Sequence, residues 1–185
     1  MAYAIDDEPA ELITIFEKCP FDVTNNIFAS HNASFEFYIW HNILVRQFNW
    51  PEVPLRQWRC TATMAASHAL PRSLEDVSTA LELDIQKDME GKRTMLKLSK
   101  PRRPSKTNPS TWHEKQEDYN ILYEYCKQDV EVERLIYKTL RPLNKKEQEI
   151  WFLDQKINMR GVQIDVHGAE DALFMIEKYK NECEK

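Results

Sequence analysis

The sequence predicts a mixed α/β protein, with short strands near the N-terminus and helices over most of the remainder. Short apolar runs bounded by Asp, Pro and Asn occupy the first thirty residues, as is typical of strands. From Asn32 onwards, apolar residues recur at helical spacing, with capping residues before them and Pro or Gly after them. The 185 residues, of which 42% are hydrophobic and 30% charged, are enough for a globular core.

The first elements are predicted to be strands joined by a turn. The strands are Ala2–Ile5, Glu11–Phe16 and the short buried run Ile27–Ser30, and Asp6–Pro9 is the turn. Asn32 is predicted to cap a helix that runs to about Arg46. On that helix Glu36 is a carboxylate beside an apolar stripe, a pattern that also fits an ordinary surface glutamate.

The later elements are predicted to be helices. The Ala-rich run Cys60–Leu70 is the first, and Ser73 with Asp76 starts a second that ends near Leu83. Thr111 and Glu114 resemble a capping box that opens a long helical region reaching Leu140. The remaining predicted features are a helix from Asn144 and Glu147 to Arg160, Gly161 at its end, an extended Val162–Asp165 and a last helix from about Gly168.

Composition argues against several classes of protein. The four cysteines are scattered and form no Cys-x-x-Cys pair, so zinc binding and disulfides are not expected. With only three glycines the chain has no phosphate-cradling loop, and therefore no nucleotide cofactor of those classes is expected. No apolar run reaches the length of a membrane span and no signal peptide is recognisable, so a cytoplasmic protein without membrane contact is expected.

Positive charge is concentrated in one segment, Lys87–Lys106, which has eight basic and two acidic residues. This segment carries +6 in a chain whose net charge is −5, which indicates either a local polyanion site or a solvated loop. Its prolines, Pro101 and Pro104, together with Pro109, predict an irregular loop rather than a regular element.

The long helical region carries the most informative pair of side chains. Tyr125 and Asp129 are four residues apart and therefore project from one face, among apolar neighbours. A carboxylate in such surroundings needs a cation, a metal or the edge of the solvent. The alternatives are therefore a structural pair with an Arg, a solvated edge position, or a functional site.

Two motifs, Asn32-Ala-Ser-Phe-Glu36 and Tyr125-Cys-Lys-Gln-Asp129, resemble those of the proofreading 3′–5′ exonuclease domain of family A DNA polymerases, particularly the phage and prophage type. Further segments resemble those polymerases in the same order. They are Trp58–Thr61, Leu70–Leu74, Gln86–Arg93, Lys97–Arg102 and Leu153–Asp165.

The resemblance implies a ribonuclease H-like α/β fold and removal of 3′-terminal nucleotides from DNA with two divalent cations, Mg²⁺ or Mn²⁺. It implies that Asp129 and Glu36 are metal ligands and that Tyr125 orients the attacking water. It also implies that Asn32 and Phe35 contact the 3′ end of single-stranded DNA. The basic residues Lys92, Arg93 and Lys97 are expected to contact the DNA backbone, and Trp112 is expected to stack a base or to anchor the core.

One expected feature is not matched: the family's first motif, Asp-x-Glu on the opening strand of the sheet. Asp6-Asp7-Glu8 matches as a string, but its turn composition predicts a solvated hairpin tip instead of a metal site. The opening strand is therefore expected to be missing from a central mixed sheet. A catalytically incomplete nucleic-acid-binding or split-polymerase fragment is accordingly an alternative function, and an RNA-trimming exonuclease is another.

The resemblance also predicts two regions. Residues 1–142 are expected to form the exonuclease region, and residues 143–185 are expected to connect it to a polymerase domain. The expected partners are a DNA 3′ end and either that polymerase domain or a segment that supplies the first motif.

Overall fold

The computed structural model describes residues 1–14, 16–83, 88–105 and 109–183, with only the backbone given for Met89. Within them the chain divides into two compact units, Met1–Gln148 and Glu149–Lys185. In the first unit, helices flank small sheets, so the predicted mixed α/β class is confirmed. The ribonuclease H-like arrangement remains a prediction.

Among the described residues, four short strands form two separate two-stranded sheets, not the single central sheet that was expected. The antiparallel sheet consists of β1 (Ala2–Tyr3) and β2 (Glu11–Leu12), and the parallel sheet consists of β3 (Phe28–Ser30) and β4 (Trp58–Cys60). Aromatic packing, instead of backbone pairing, links the two sheets. The Phe21 ring centroid lies 5.3 Å from that of Tyr3 and 5.8 Å from that of Phe28.

The predicted N-terminal hairpin is confirmed, although its strands are shorter than expected. The Glu8 N–H donates to the Ile5 carbonyl at 2.9 Å, and Asp6 has a φ of 46°, as a tight turn requires. The Met1 carbonyl accepts the Ile13 N–H at 2.9 Å just beyond the strands. Ile15, part of the second predicted strand, lies outside the described residues.

The helices carry most of the described chain. They are α1 (Ala33–Ile39), α2 (Arg46–Phe48), α3 (Thr61–Ser67), α4 (Leu74–Ala80), α5 (Met89–Leu98), α6 (Gln116–Thr139), α7 (Lys145–Arg160) and α8 (Val166–Cys183). A π-helical segment, Trp40–Val45, joins α1 to α2, so the helix predicted from Asn32 is confirmed with a local change of winding. Asn32 is the N-cap in a left-handed conformation, and its side chain makes no capping hydrogen bond.

The loop predicted for the basic segment is wrong for Met89–Leu98, which form α5. Asp88 caps this helix by accepting the Glu90 N–H at 2.9 Å, and the sequence that follows has good helix formers. The prolines that suggested a loop all lie beyond the end of the helix, where Pro is tolerated. α5 packs against α6. Lys87 and Lys106, at the ends of the predicted segment, lie outside the described residues.

The predicted capping box at Thr111 is also wrong. The Ser110 hydroxyl donates to the Glu114 carboxylate at 2.8 Å and accepts the Trp112 N–H at 3.2 Å, so Ser110 organises this turn. α6 begins at Gln116, and its N-cap residue makes no side-chain cap. The predicted caps of α4 and α7 are confirmed: Ser73 accepts the Asp76 N–H at 3.2 Å, and Asn144 and Glu147 bond reciprocally.

The core that supports α6 is apolar, and a second cluster is aromatic. The buried apolar core consists of Met64, Ala65, Val77, Val132, Ile136 and Leu140. The aromatic cluster lies at the parallel sheet and consists of Phe28, Trp40, Trp50 and Trp58. Residues on one side of α6 therefore lie in the core, which fixes the orientation of that helix.

The second unit contains the later part of α7, followed by α8. Gly161 has a φ of +70° and donates its N–H to the Ile157 carbonyl at 3.0 Å, which confirms the predicted helix end. Asp165 accepts the Gly168 N–H at 3.0 Å before α8. Across the described parts of the chain, no helix is both long and apolar enough to cross a membrane.

Candidate active site

The candidate site is organised by α6, on which Tyr125, Asp129 and Glu133 follow one another at intervals of four residues. This spacing places the three side chains along one side of the helix. Val132 and Ile136, on the adjoining side, are buried in the apolar core. The core contact therefore determines where the three polar side chains point.

Tyr125 is buried and its hydroxyl donates a hydrogen bond to the Asp129 carboxylate. The pKa of Tyr125 is raised far above its usual value. Burial is the largest cause, and the charge of Asp129 and the hydrogen bond to it raise the pKa further. The side chain is therefore a neutral phenol over the whole physiological pH range. It can position a water molecule or a carboxylate, but it cannot act as a phenolate base.

Glu36 supplies a carboxylate from α1, and its Oε2 atom is buried. Burial raises the pKa of Glu36, while the Ser30 hydroxyl beside the carboxylate acts in the opposite direction. Ser30 itself is 6% exposed, at the end of β3. The parallel sheet thus ends directly beside the Glu36 carboxylate.

Glu133 joins the site although it was not among the predicted residues. Its carboxyl group is deeply buried, and burial, followed by the charges of Glu36 and Asp129, raises its pKa to about 8. The backbone N–H of His31 donates to it and opposes that shift. The sequence contained the signal, since Glu133 is four residues from Asp129 on the same helix.

His31 holds the turn between β3 and α1 in place. Its Nε2 lies 2.7 Å from the Arg72 carbonyl and its Nδ1 lies 2.9 Å from the Thr61 hydroxyl. Burial lowers the pKa of His31, so the neutral ring donates from Nε2 and accepts at Nδ1. This fixed ring anchors the turn whose backbone N–H contacts Glu133.

The structure brings the predicted residues Tyr125 and Asp129 together, and the Glu133 carboxyl group interacts with both Glu36 and Asp129. Asn32 and Phe35 lie on the same turn of chain as Glu36, and Phe35 is 61% exposed. Trp112 is 53% exposed, so its interpretation as a core anchor is wrong.

The predicted basic contacts lie on α5 and differ in their partners. Lys92 pairs with Glu75 at 3.0 Å and Lys97 pairs with Asp118 at 2.5 Å. Arg93 is exposed and forms no ion pair with any residue that the structure describes. Arg93 is therefore the cation of the three that is most available to a ligand.

Gly91 lets α5 approach Tyr125 closely. A Cβ atom at this position would lie 2.5 Å from Cδ2 and 2.6 Å from Cβ of Tyr125. Any side chain here would displace the ring, because Tyr125 is itself packed against the core. This role was not predicted, since a glycine within a helical pattern gives no sign of what it packs against.

The Asp6–Glu8 string is exposed and lies elsewhere on α6. Arg134 donates to the carbonyls of Asp6 and Glu8, and Lys138 pairs with Asp7. Arg134 and Lys138 project from the side of α6 opposite to Asp129. This placement agrees with the predicted hairpin turn and separates these carboxylates from the candidate site.

The donor set at the site consists of carboxylate and hydroxyl oxygens, which suit hard cations such as Mg²⁺ or Mn²⁺. Within the described ranges, no group of three or more His, Cys, Asp or Glu side chains is placed so that it could hold a metal ion. Two buried oxygens, Glu36 Oε2 and Ser30 Oγ, have no hydrogen-bond partner there. Oxygens of this kind are capable of accepting a cation or a water bound to one.

Comparison with known proteins gives one strong similarity. The chain is 37% identical to a DNA polymerase of Bacillus phage SP02 over 196 aligned residues, an alignment that covers 97% of this chain. The chain spans 29% of the length of that polymerase. No family model matches the chain, and no solved structure matches it. Nearly all of this chain is therefore similar to part of a phage DNA polymerase.

Proposed function

We propose that this chain is the 3′–5′ exonuclease region of a DNA polymerase of the phage type and removes 3′-terminal nucleotides from DNA. The observation that carries the proposal is the Tyr125–Asp129 hydrogen bond on α6, with the Glu36 carboxylate facing the same cluster. The similarity to a phage DNA polymerase over nearly the whole chain supports a role in DNA synthesis.

In this proposal Asp129 and Glu36 hold two divalent cations, Mg²⁺ or Mn²⁺. When bound, such cations stabilise charge on the attacking and leaving oxygens of a phosphodiester. Tyr125 remains a neutral phenol because of its raised pKa, and its hydroxyl, fixed by Asp129, orients the attacking water. The close contact with Gly91 keeps the Tyr125 ring in position.

Single-stranded DNA is proposed to enter over α1 and α5. The exposed ring of Phe35 offers a surface on which a terminal base can stack, and Asn32 lies beside it. Arg93, which has no ion pair within the described part of the chain, is proposed to contact the backbone, whereas Lys92 and Lys97 first have to exchange their carboxylate partners for phosphates.

The proposal also assigns the two regions of the chain. Residues 1–142 form the exonuclease region, and residues 143–185 connect it to a polymerase domain, which is the proposed partner. The exposed apolar residues of α8 are consistent with a connecting role, since a helix without a buried residue needs a further contact to bury its apolar side.

The direct test is digestion of a 5′-labelled single-stranded DNA oligonucleotide with Mg²⁺ or Mn²⁺. The parent chain should shorten it from the 3′ end, and Asp129→Asn should be slower by about a hundredfold or more, because several kcal/mol of charge stabilisation depends on the ligand. Tyr125→Phe should also be slower. Glu124→Gln, on the exposed side of the same helix, is the control and should cut like the parent.

An Asp129→Asn chain that cuts as fast as the parent would show that the site is wrongly assigned. Parallel digestion of an RNA oligonucleotide of the same sequence distinguishes DNA proofreading from RNA trimming. Faster cutting of RNA would favour the RNA-trimming alternative.

A second candidate function is a catalytically incomplete DNA-binding fragment that works with another polymerase segment. One observation favours it: the Asp6–Glu8 carboxylates lie across α6 from Asp129 and cannot complete the site without a rearrangement. This alternative predicts that the chain binds the oligonucleotide but leaves its length unchanged at millimolar Mn²⁺. Addition of a segment bearing Asp-x-Glu should then restore cutting.

A further inference from the structure

A second group of basic residues lies where α6 ends and α7 begins, outside the basic segment that includes α5. Residues 134–146 contain five cations and no acidic residue. Two of these cations, Arg134 and Lys138, are engaged by the N-terminal hairpin. The other three are Arg141, Lys145 and Lys146, and we call them the α6–α7 basic patch.

The α6–α7 basic patch carries positive charge that the protein does not use itself. All three side chains are exposed, and none of them forms an ion pair with any residue that the structure describes. The next acidic residue along the chain is Glu147, whose carboxylate accepts the Asn144 N–H at 3.3 Å. Three positive charges are therefore open to an external anion, in a chain whose net charge is −5.

The backbone that carries the patch is fixed on both sides. Leu140 is buried in the apolar core, and Leu143 packs against the same core. Between them, the Arg141 carbonyl lies 3.2 Å from Nε2 of His68, and the capping box at Asn144 fixes the start of α7. A ligand that binds these cations therefore has little backbone to order, which lowers the cost of binding.

The composition of the patch indicates the kind of anion that it fits. The one aromatic residue in the run 134–146 is Tyr137, which packs against the apolar core and offers no exposed ring. Proteins that bind single-stranded DNA combine cations with exposed aromatic rings on which bases stack. Cations without such rings suit the phosphate backbone of a duplex, whose bases already stack on one another.

We propose that the α6–α7 basic patch contacts the phosphate backbone of double-stranded DNA, at a place separate from the site at Asp129. The last residue of α6, Thr139, is ten residues beyond Asp129 and so about 15 Å along the helix. This distance corresponds to about four base pairs of duplex. A DNA molecule whose 3′ end lies at the proposed site can therefore reach the patch with its paired part. The inference rests on the proposed action on DNA, but not on the exonuclease chemistry.

The test is binding of a fluorescent blunt-ended DNA hairpin to the full chain, measured by anisotropy in EDTA at several KCl concentrations. The triple variant Arg141→Gln, Lys145→Gln, Lys146→Gln should bind the hairpin more weakly. The slope of the logarithm of its binding constant against the logarithm of salt concentration should be smaller by about 2.7, because three phosphate contacts are lost. A matched control, Lys156→Gln, Lys178→Gln, Lys180→Gln, removes the same charge from exposed positions elsewhere and should keep the slope of the parent.

Two further measurements separate a DNA contact from a structural role. A variant that retains the charges, Arg141→Lys, Lys145→Arg, Lys146→Arg, should bind the hairpin like the parent. Lys145 and Lys146 lie in the first turn of α7, where cations are unfavourable, so the glutamine variant should melt at no lower temperature than the parent. A lower melting temperature together with lost binding would assign the patch a structural role and overturn the inference.

The remaining outcomes distinguish this inference from the proposed function. Equal slopes for the parent and the glutamine variant would show that the patch does not contact duplex DNA, while the exonuclease proposal would stand. Equal weakening for a single-stranded oligonucleotide of the same length would also overturn the inference, because the contact would not be one to duplex DNA. If the parent binds neither DNA at low salt, both the inference and the proposed action on DNA fall.

Discussion

At the scale of single residues, the protonation of Glu133 links the site to stability. Its carboxyl group is buried beside two other carboxylates, which raises its pKa to about 8. In the unfolded chain an ordinary glutamate titrates near pH 4. Between these values the folded state holds a proton that the unfolded state has released.

The pH dependence of stability follows from this difference. Since the folded state binds more protons, the free energy of unfolding should fall as the pH rises from about 5 to 8, by an amount on the order of a few kcal/mol. Urea unfolding in EDTA at several pH values measures it. Glu133→Gln should remove most of the fall, and an unchanged slope in this variant would assign the effect to other groups.

At the scale of elements, three sides of α6 contact three different parts of the molecule. One side packs in the core, one carries Tyr125, Asp129 and Glu133, and one holds the N-terminal hairpin. On the hairpin side, Glu131 accepts the Ala10 N–H at 2.8 Å and pairs with Arg134. The contacts of this long helix therefore connect the hairpin to the site.

Removing Arg134 should loosen the hairpin selectively. Arg134→Ala loses hydrogen bonds to two backbone carbonyls and an ion pair with Glu131, which should cost about 1–2 kcal/mol. Amide hydrogen exchange should accelerate in residues 1–12 and stay unchanged in α5. Equal acceleration in both would show that the hairpin is not a separate unit held by this residue.

Gly91 should tolerate no side chain, although alanine usually stabilises a helix. Gly91→Ala places a methyl group within 2.6 Å of two Tyr125 atoms and should destabilise the chain by about 1–3 kcal/mol. Thermal or urea unfolding measures this change in stability. Gly91→Ala should also lose activity in the exonuclease assay. Arg93→Ala, on the exposed side of α5, is the stability control and should change the free energy of unfolding little.

Elements with a local signal were predictable from the sequence. The hairpin turn, the caps at Ser73 and Asn144 and the Gly161 helix end each depend on nearby side chains, and the structure confirms them. α5 was missed because prolines after the helix outweighed its own helix formers. Gly91 was missed because its role arises from a contact between helices, which a single sequence does not display. Glu133 was missed although its spacing of four residues from Asp129 on the same helix was a usable signal.

At the scale of the whole molecule, positive charge is concentrated in one segment although the net charge of the chain is negative. The chain has a net charge of −5, yet α5 and the residues after it are basic. An acidic protein repels DNA on average, so binding has to occur where positive charge is local. The exposed guanidinium of Arg93 is part of that local charge.

Binding of a fluorescent single-stranded oligonucleotide should weaken as salt increases. The logarithm of the DNA-binding constant should fall less steeply with the logarithm of the salt concentration for Arg93→Ala. The steepness should decrease by just under one, because about one phosphate contact is lost. Lys92→Ala should reduce it less, since Lys92 is engaged with Glu75. Anisotropy titrations over a range of KCl measure the slopes, and an unchanged slope for Arg93→Ala would exclude it from the DNA contact.

The aromatic cluster beside the parallel sheet has a spectroscopic consequence. The rings of Trp40 and Trp50 lie 5.2 Å apart and nearly perpendicular, and Trp58 is 6.2 Å from Trp40. Indoles at this separation couple their electronic transitions and give a strong near-ultraviolet circular dichroism signal. The sign of that signal depends on the angle between the two rings. Trp40 directly follows the helix that carries Glu36. The protein therefore contains an intrinsic optical probe of the position of that helix, and no added label is needed.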